Sequence, residues 1–129
     1  ILLKKLKTKW QEAWYNGVGG KVEGIDKNSK QSMIREFKEE TGVSTLEDEW
    51  ESLLEMKEDG KFSVEVFYCF SDKYIQATTM EEEIVCIFDL SEDWQFIRDN
   101  SISNVPWLIM ASLDTDAEIK RLKLSAEYV

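Results

Sequence analysis

The chain has no histidine among its 129 residues. That absence removes His-based triads, imidazole general bases and the usual zinc sites, so any catalyst here must use carboxylates, hydroxyls, lysine or a metal. Cysteine is nearly as scarce. Cys69 and Cys86 lie inside the apolar runs FYCF and IVCIF without CxxC spacing, and both read as buried, reduced thiols rather than ligands or a disulfide. Reduced thiols favour a cytoplasmic setting. Basic residues are outnumbered 16 to 26, and the net charge of −10 argues against DNA or RNA polymers as partners. A small polyphosphate that arrives with its own metal escapes that objection. No apolar run approaches the ~18 residues of a membrane span, and the apolar part of ILLKKLKTK is too short for a signal peptide.

With 43% hydrophobic residues, the sequence reads as one domain over residues 1–129 with a core of its own. A strand is expected from Ile1 to Leu6, then a polar turn through Lys7-Thr8-Lys9 and a segment through Trp14 that leads into a glycine loop. A helix is expected from about Ser29 to Thr41, with Asn28 or Ser29 as its N-cap and Gly42 as its C-terminal cap. Trp50 to Lys57 and Lys61 to Phe70 read as a hairpin turning at Glu58-Asp59-Gly60. Phe62, Val64, Val66, Tyr68 and Phe70 alternate onto one face, which predicts a core-facing strand. Thr78 to Glu83 is an acidic loop, Ile84 to Leu90 a further strand, and Val105 to Leu113 and Thr115 to Leu124 two late helices. Strands and helices in this order suit an α/β/α sandwich.

The densest chemical signal lies in GKVEGIDKNSKQSMIREFKEETGV, residues 20 to 43. At about 100° per residue, Glu36, Glu39 and Glu40 fall within a ~100° arc, beside an apolar stripe of Met33, Ile34 and Phe37. One face can dock on a core while the next offers oxygen ligands. Like charges at these spacings cost a few tenths of a kcal/mol per pair, which a divalent cation would offset. An acidic, solvated helix face is the competing reading in a chain this acidic. Upstream, Gly17, Gly19 and Gly20 put three glycines in four residues, more than a strand needs unless the backbone turns sharply or approaches a ligand.

Together these segments resemble the Nudix box, the signature of the Nudix hydrolases: glycine, five residues, glutamate, seven residues, then Arg-Glu-apolar-X-Glu-Glu-X-Gly-apolar. The second half matches without exception from Arg35 to Val43. In the first half, counting from Gly20, the family's glutamate falls on Asp26, and eight residues rather than seven separate Asp26 from Arg35. The turn reads Glu23-Gly24-Ile25-Asp26, so the loop carries one extra residue near Asn28 or Ser29.

The resemblance implies a Nudix-type α/β/α sandwich with a mixed central sheet, and strand residues ahead of Ile1. It implies Mg2+ or Mn2+ held by Glu36, Glu39 and Glu40, with Arg35 orienting a box glutamate through a bidentate contact. Amides around Gly19, Gly20 and Lys21 would face phosphate or a coordinated water. A carboxylate outside the box often serves in this family. Glu82-Glu83-Ile84-Val85-Cys86-Ile87-Phe88 is similar to the acidic pair and strand of its oxidised-purine triphosphatases, which selects Glu83. Trp14-Tyr15-Asn16-Gly17-Val18-Gly19-Gly20-Lys21-Val22 is similar to their base-reading stretch, which selects Asn16. Asn104 and Trp107 are candidates for the far side of the pocket, with core packing the competing role for Trp107. The implied activity is MutT-type hydrolysis of a nucleoside triphosphate, such as 8-oxo-dGTP, to monophosphate and pyrophosphate. ADP-ribose or dinucleoside polyphosphate hydrolysis, or a non-catalytic nucleotide-binding module, are the alternatives. The partner is a small nucleotide, with neither a nucleic acid polymer nor a membrane, and the protein is expected as a monomer or homodimer.

Overall fold

The computed structural model describes residues 1–6 and 12–114. Strands β1 (Leu2–Lys4) and β2 (Tyr15–Asn16) precede helix α1 (Ser29–Thr41). The hairpin β3 (Glu51–Glu58) and β4 (Phe62–Tyr68) follows, then β5 (Ile84–Cys86), α2 (Leu90–Asn100) and α3 (Val105–Leu113). The class is α/β, as expected. The strands form two small antiparallel sheets, one ordered β2-β1-β5 and the other the β3-β4 hairpin. In place of the mixed central sheet expected, the described residues thus carry two separate antiparallel sheets, with an isolated parallel bridge between Tyr15 and Ser101. The late helix expected over Thr115 to Leu124 lies outside the described residues. Among the described residues, no helix is long and apolar enough to cross a membrane.

Helix α1 begins and ends where its caps dictate. Asn28 is extended and its Oδ1 accepts from the Gln31 N–H at 2.9 Å, a cap worth about 1 kcal/mol. At the other end Gly42 adopts φ 77°, a left-handed conformation that suits glycine, and its N–H donates to the Lys38 carbonyl. The apolar side of α1 packs Phe37 against Val43 and Trp50, with Met33, Ile34, Val18, Phe67 and Cys69 around them. Phe37 and Trp50 meet edge to face, centroids 5.2 Å apart. Trp50 is further fixed by its Nε1–H on Thr45 Oγ1 at 2.7 Å. A second cluster joins Leu2, Ile97 and Val105, tying β1 to α2 and α3. α1 is thus clamped on one side, leaving its polar faces to do chemistry.

Three further expectations are corrected. Phe62, Val64 and Phe70 are exposed, so the alternating face of β4 is not the core face. The residues that reach the core cluster are Phe67 and Cys69, on the other side of the strand. A two-stranded hairpin buries little of either face on its own, and the ladder shifts register between Ser52 and Leu54. Second, β5 ends at Cys86, and Leu90 opens α2 instead of closing a strand. Asp89 stops the strand because its carboxylate accepts from the Ser91 N–H, while its own N–H donates to Asp93. Leu90, Trp94 and Ile97 then recur at helical spacing. Third, Cys69 and Cys86 are free but half-buried rather than buried. Partial burial still pushes both thiols above their ordinary pKa.

Candidate active site

Arg35 organises the acidic face of α1. Its Nε and Nη2 donate to Asp26 Oδ1 and Oδ2, each at 3.0 Å, a bidentate fork. Its Nη1 donates to Glu36 at 2.9 Å and to Glu39 at 3.0 Å. Nη2 also reaches the Lys21 carbonyl at 3.2 Å, which accepts from Ser32 Oγ as well. The two-pronged contact expected with a box glutamate is therefore made with Asp26, and Glu36 and Glu39 receive single bonds. The Asp26 side chain is only 4% exposed. Its hydrogen bond with Arg35, then the Glu23 N–H, hold its carboxyl below the usual range, and the same fork raises Arg35. The glycine loop lies directly over this array. A Cβ on Gly20 would sit 2.3 Å from Glu36 Cδ, so glycine is what lets the backbone pass with Glu36 in this position.

Glu40 faces inward, 8% exposed, and its Oε2 has no hydrogen-bond partner. Burial pushes its pKa up to about 7. Lys5 opposes that shift, and Glu36, Glu81 and Glu83 add to it. Residues from α1, the acidic loop and the position just past β1 thus act on one carboxylate. The loop is fastened to the end of α1, with Thr78 N–H donating to the Thr41 carbonyl and Met80 N–H to that of Glu40. Glu83 is half-buried and accepts from the Leu6 N–H at 2.6 Å. Among the described residues no group of three His, Cys, Asp or Glu is gathered as a metal site. Glu36 and Glu39 are turned to Arg35 and Glu83 to Leu6.

The other candidates lie along β2 and α3. Asn16 Oδ1 accepts from the Gly17 N–H at 2.8 Å. Tyr15 bridges Ser101 and its carbonyl accepts from the Ile102 N–H at 2.9 Å, so the strand carrying Asn16 runs beside the segment leading to Asn104. Asn104 precedes α3, its Nδ2 3.6 Å from Met56 Sδ on β3, and Trp107 is half-buried on α3. Lys21 offers its carbonyl to Arg35 while the residue itself is exposed, and Gly19 adjoins it in the same loop.

The sequence model of the NUDIX domain matches residues 1–125. The chain belongs to the Nudix family. No curated protein matches it. Membership carries hydrolysis of small compounds in which a nucleoside diphosphate is linked to another moiety, and Nudix hydrolases generally use divalent metal ions.

The donors of this Nudix domain fit such a cation. The oxygen set of Glu36, Glu39, Glu40 and Glu83 is the kind Mg2+ and Mn2+ take, and the orphaned Glu40 oxygen is a buried acceptor in want of a partner. Two residues that act on these carboxylates escaped the sequence reading. Asp26 stands at the family's glutamate position, but the extra loop residue left its role unassigned. Lys5 carries no local signal, because the chain separates it from Glu40 by 35 positions.

Proposed function

We propose that this Nudix protein is a MutT-type nucleoside triphosphate pyrophosphohydrolase, with oxidised purine deoxynucleotides such as 8-oxo-dGTP as substrate. The observation that carries the hydrolase reading is the buried Glu40, one oxygen unpartnered, set beside the Arg35-ordered Glu36 and Glu39. Glu36, Glu39, Glu40 and Glu83 would hold Mg2+ or Mn2+. When bound, such a cation would supply positive charge that offsets the charge developing as the anhydride opens.

The chain's own residues supply the rest. Arg35 is a positioning residue that fixes the Glu36 and Glu39 rotamers. Gly20 lies against Glu36, and the amides of Gly19, Gly20 and Lys21 would face the phosphates. Water adds to phosphorus, the P–O anhydride bond breaks with pyrophosphate leaving, and the water's proton passes to a carboxylate of this group. Glu83, held by the Leu6 N–H just past β1, acts in that step from outside the helix. The purine reading is supported by Asn16, whose amide can donate to and accept from a base edge, and by the proximity of its strand to the Asn104 segment. Trp107 would lend an aromatic face.

A substrate panel with phosphate-release detection after a coupled pyrophosphatase tests this. 8-oxo-dGTP should give the highest kcat/KM and release pyrophosphate. ADP-ribose or a dinucleoside polyphosphate as the best substrate would keep the hydrolase and remove the oxidised-purine assignment. No hydrolysis of any member with Mg2+ or Mn2+ would leave a nucleotide-binding module.

A further inference from the structure

The face of α1 beside the carboxylates carries a different chemistry. Gln31, Ile34, Arg35 and Lys38 recur at i, i+3, i+4 and i+7, one stripe of the helix. With Ile25 and Lys27 of the preceding loop they line a cleft of about 270 Å3, near the lower end of ligand pockets. That loop wall is where the chain carries one residue more than the family pattern.

The cleft is cationic in an acidic protein. Asp26 also lines it, but Arg35 takes both its oxygens and the Glu23 N–H takes one again, which offsets its charge. Lys27 and Lys38 are both exposed, and neither is in an ion pair among the described residues, although Lys61, Lys73 and Arg35 are. Lys38 stands in the last turn of α1, where a cation suits the helix dipole. Lys27 precedes the Asn28 cap, at the positive end, where the dipole disfavours it. An anion in the cleft would reverse that penalty. By helical rise Ser29 and Lys38 alone are roughly 14 Å apart, and Lys27 lies two residues ahead of the helix, so the lysines are too far apart for one orthophosphate to pair comfortably with both, whereas two extended side chains can meet across a diphosphate. Ile25, 78% exposed, and Ile34 supply an apolar wall.

We propose that this cleft is a second anion site, separate from the carboxylate face, that takes a diphosphate group between Lys27 and Lys38. Its ligand is either free pyrophosphate or the diphosphate of a nucleotide.

The test is calorimetric titration of the whole protein in EDTA, so that the carboxylate face has no cation with which to hold phosphate. Inorganic pyrophosphate, ADP and orthophosphate are compared at about 0.15 M ionic strength. Pyrophosphate should bind saturably, and Lys27→Gln/Lys38→Gln should weaken it at least about tenfold with an unchanged melting curve and unchanged metal-dependent hydrolysis. Tighter binding of ADP would assign the ligand to a nucleotide whose base lies on Ile25 and Ile34, and equal binding to the diphosphate alone. No saturable binding, binding unaffected by the double substitution, or orthophosphate as tight as pyrophosphate would overturn the proposal. Those three results are all binding results obtained in EDTA without turnover, so each leaves the hydrolase reading as it stood.

Discussion

Gly20 and Glu36 are packed so that a single added methyl on the glycine would overlap the glutamate's carboxyl, 2.3 Å from Cδ. The obstructed group is the end of a flexible side chain, so the chain can relieve the clash by swinging Glu36 away. Gly20→Ala should therefore cost activity more than stability. The expected outcome is a loss of kcat of about 10- to 100-fold with a melting temperature within a few degrees of the parent. A large drop in melting temperature with kcat preserved would mean that the backbone, and not Glu36, gives way.

Asp26 and Arg35 form the fork on which Glu36 and Glu39 depend. Asp26→Asn keeps the shape but loses the charge and one acceptor, and should lower metal affinity or kcat by about 10- to 100-fold, while nucleotide KM changes little. Asp26→Glu restores the charge on a longer arm. If the extra loop residue is matched to the shorter aspartate, this variant will not recover full activity. Wild-type kinetics in Asp26→Asn would remove the positioning role. The sign with pH follows from the lowered carboxyl. The stability Asp26 contributes is present above its unfolded value and is lost as pH falls through the depressed one.

Glu40 has the opposite sign. Its folded pKa, about 7, lies above the ordinary glutamate value of 4.5, so in metal-free protein the folded state holds an extra proton between those two values. Its contribution to stability is greatest below pH 4.5 and falls as pH rises towards and past 7. Glu40→Gln in EDTA should be more stable than wild type at pH 8, by at most about 3.5 kcal/mol at ~1.4 kcal/mol per pKa unit, and the gap should close towards pH 4.5. The same variant should lose at least about 100-fold in metal-dependent turnover. Denaturant melts across pH and Mg2+ titrations of rate check both halves. Full activity in Glu40→Gln, or in excess EDTA, would end the metal assignment.

Asn16 bears on substrate choice. Asn16→Ala should reduce discrimination between 8-oxo-dGTP and dGTP by tenfold or more, since a buried amide paired with a base edge is worth about 1 to 3 kcal/mol. Metal dependence should be intact, because phosphate handling rests on the α1 carboxylates. The measurement is kcat/KM for both nucleotides in parent and variant. Equal slowing of every substrate would make Asn16 a loop residue whose job is its bond to Gly17.

Helix α1 was legible because cap, periodicity and terminal glycine all agree on one segment. The carboxylates were legible for the same reason, as a helix converts spacing into direction. The β4 face was not. Alternation shows which residues share a side, but not which side meets the core, and Phe67 rather than Phe62 or Val64 joins the cluster of Phe37, Val43 and Trp50. Helix α2 was hidden because Ile84 to Leu90 is apolar enough for a strand, and only the Asp89 cap breaks it. Within the site, contacts bridging distant parts of the chain left no local trace. The pull of Lys5 on Glu40 and the Leu6 N–H on Glu83 follow from where the chain just past β1 lies, which no short motif encodes.

The main-chain bonds from Thr78 and Met80 to the last turn of α1 have an evolutionary consequence. A helix end leaves carbonyls that need donors, and here the loop bearing Glu83 supplies them through groups that every residue but proline possesses. Side chains in that loop can drift without moving it. Its length cannot. One residue inserted or deleted between Met80 and Glu83 would pull the glutamate off Leu6 while leaving the helix intact, so gaps in this stretch should be purged from descendants of this sequence far more stringently than substitutions.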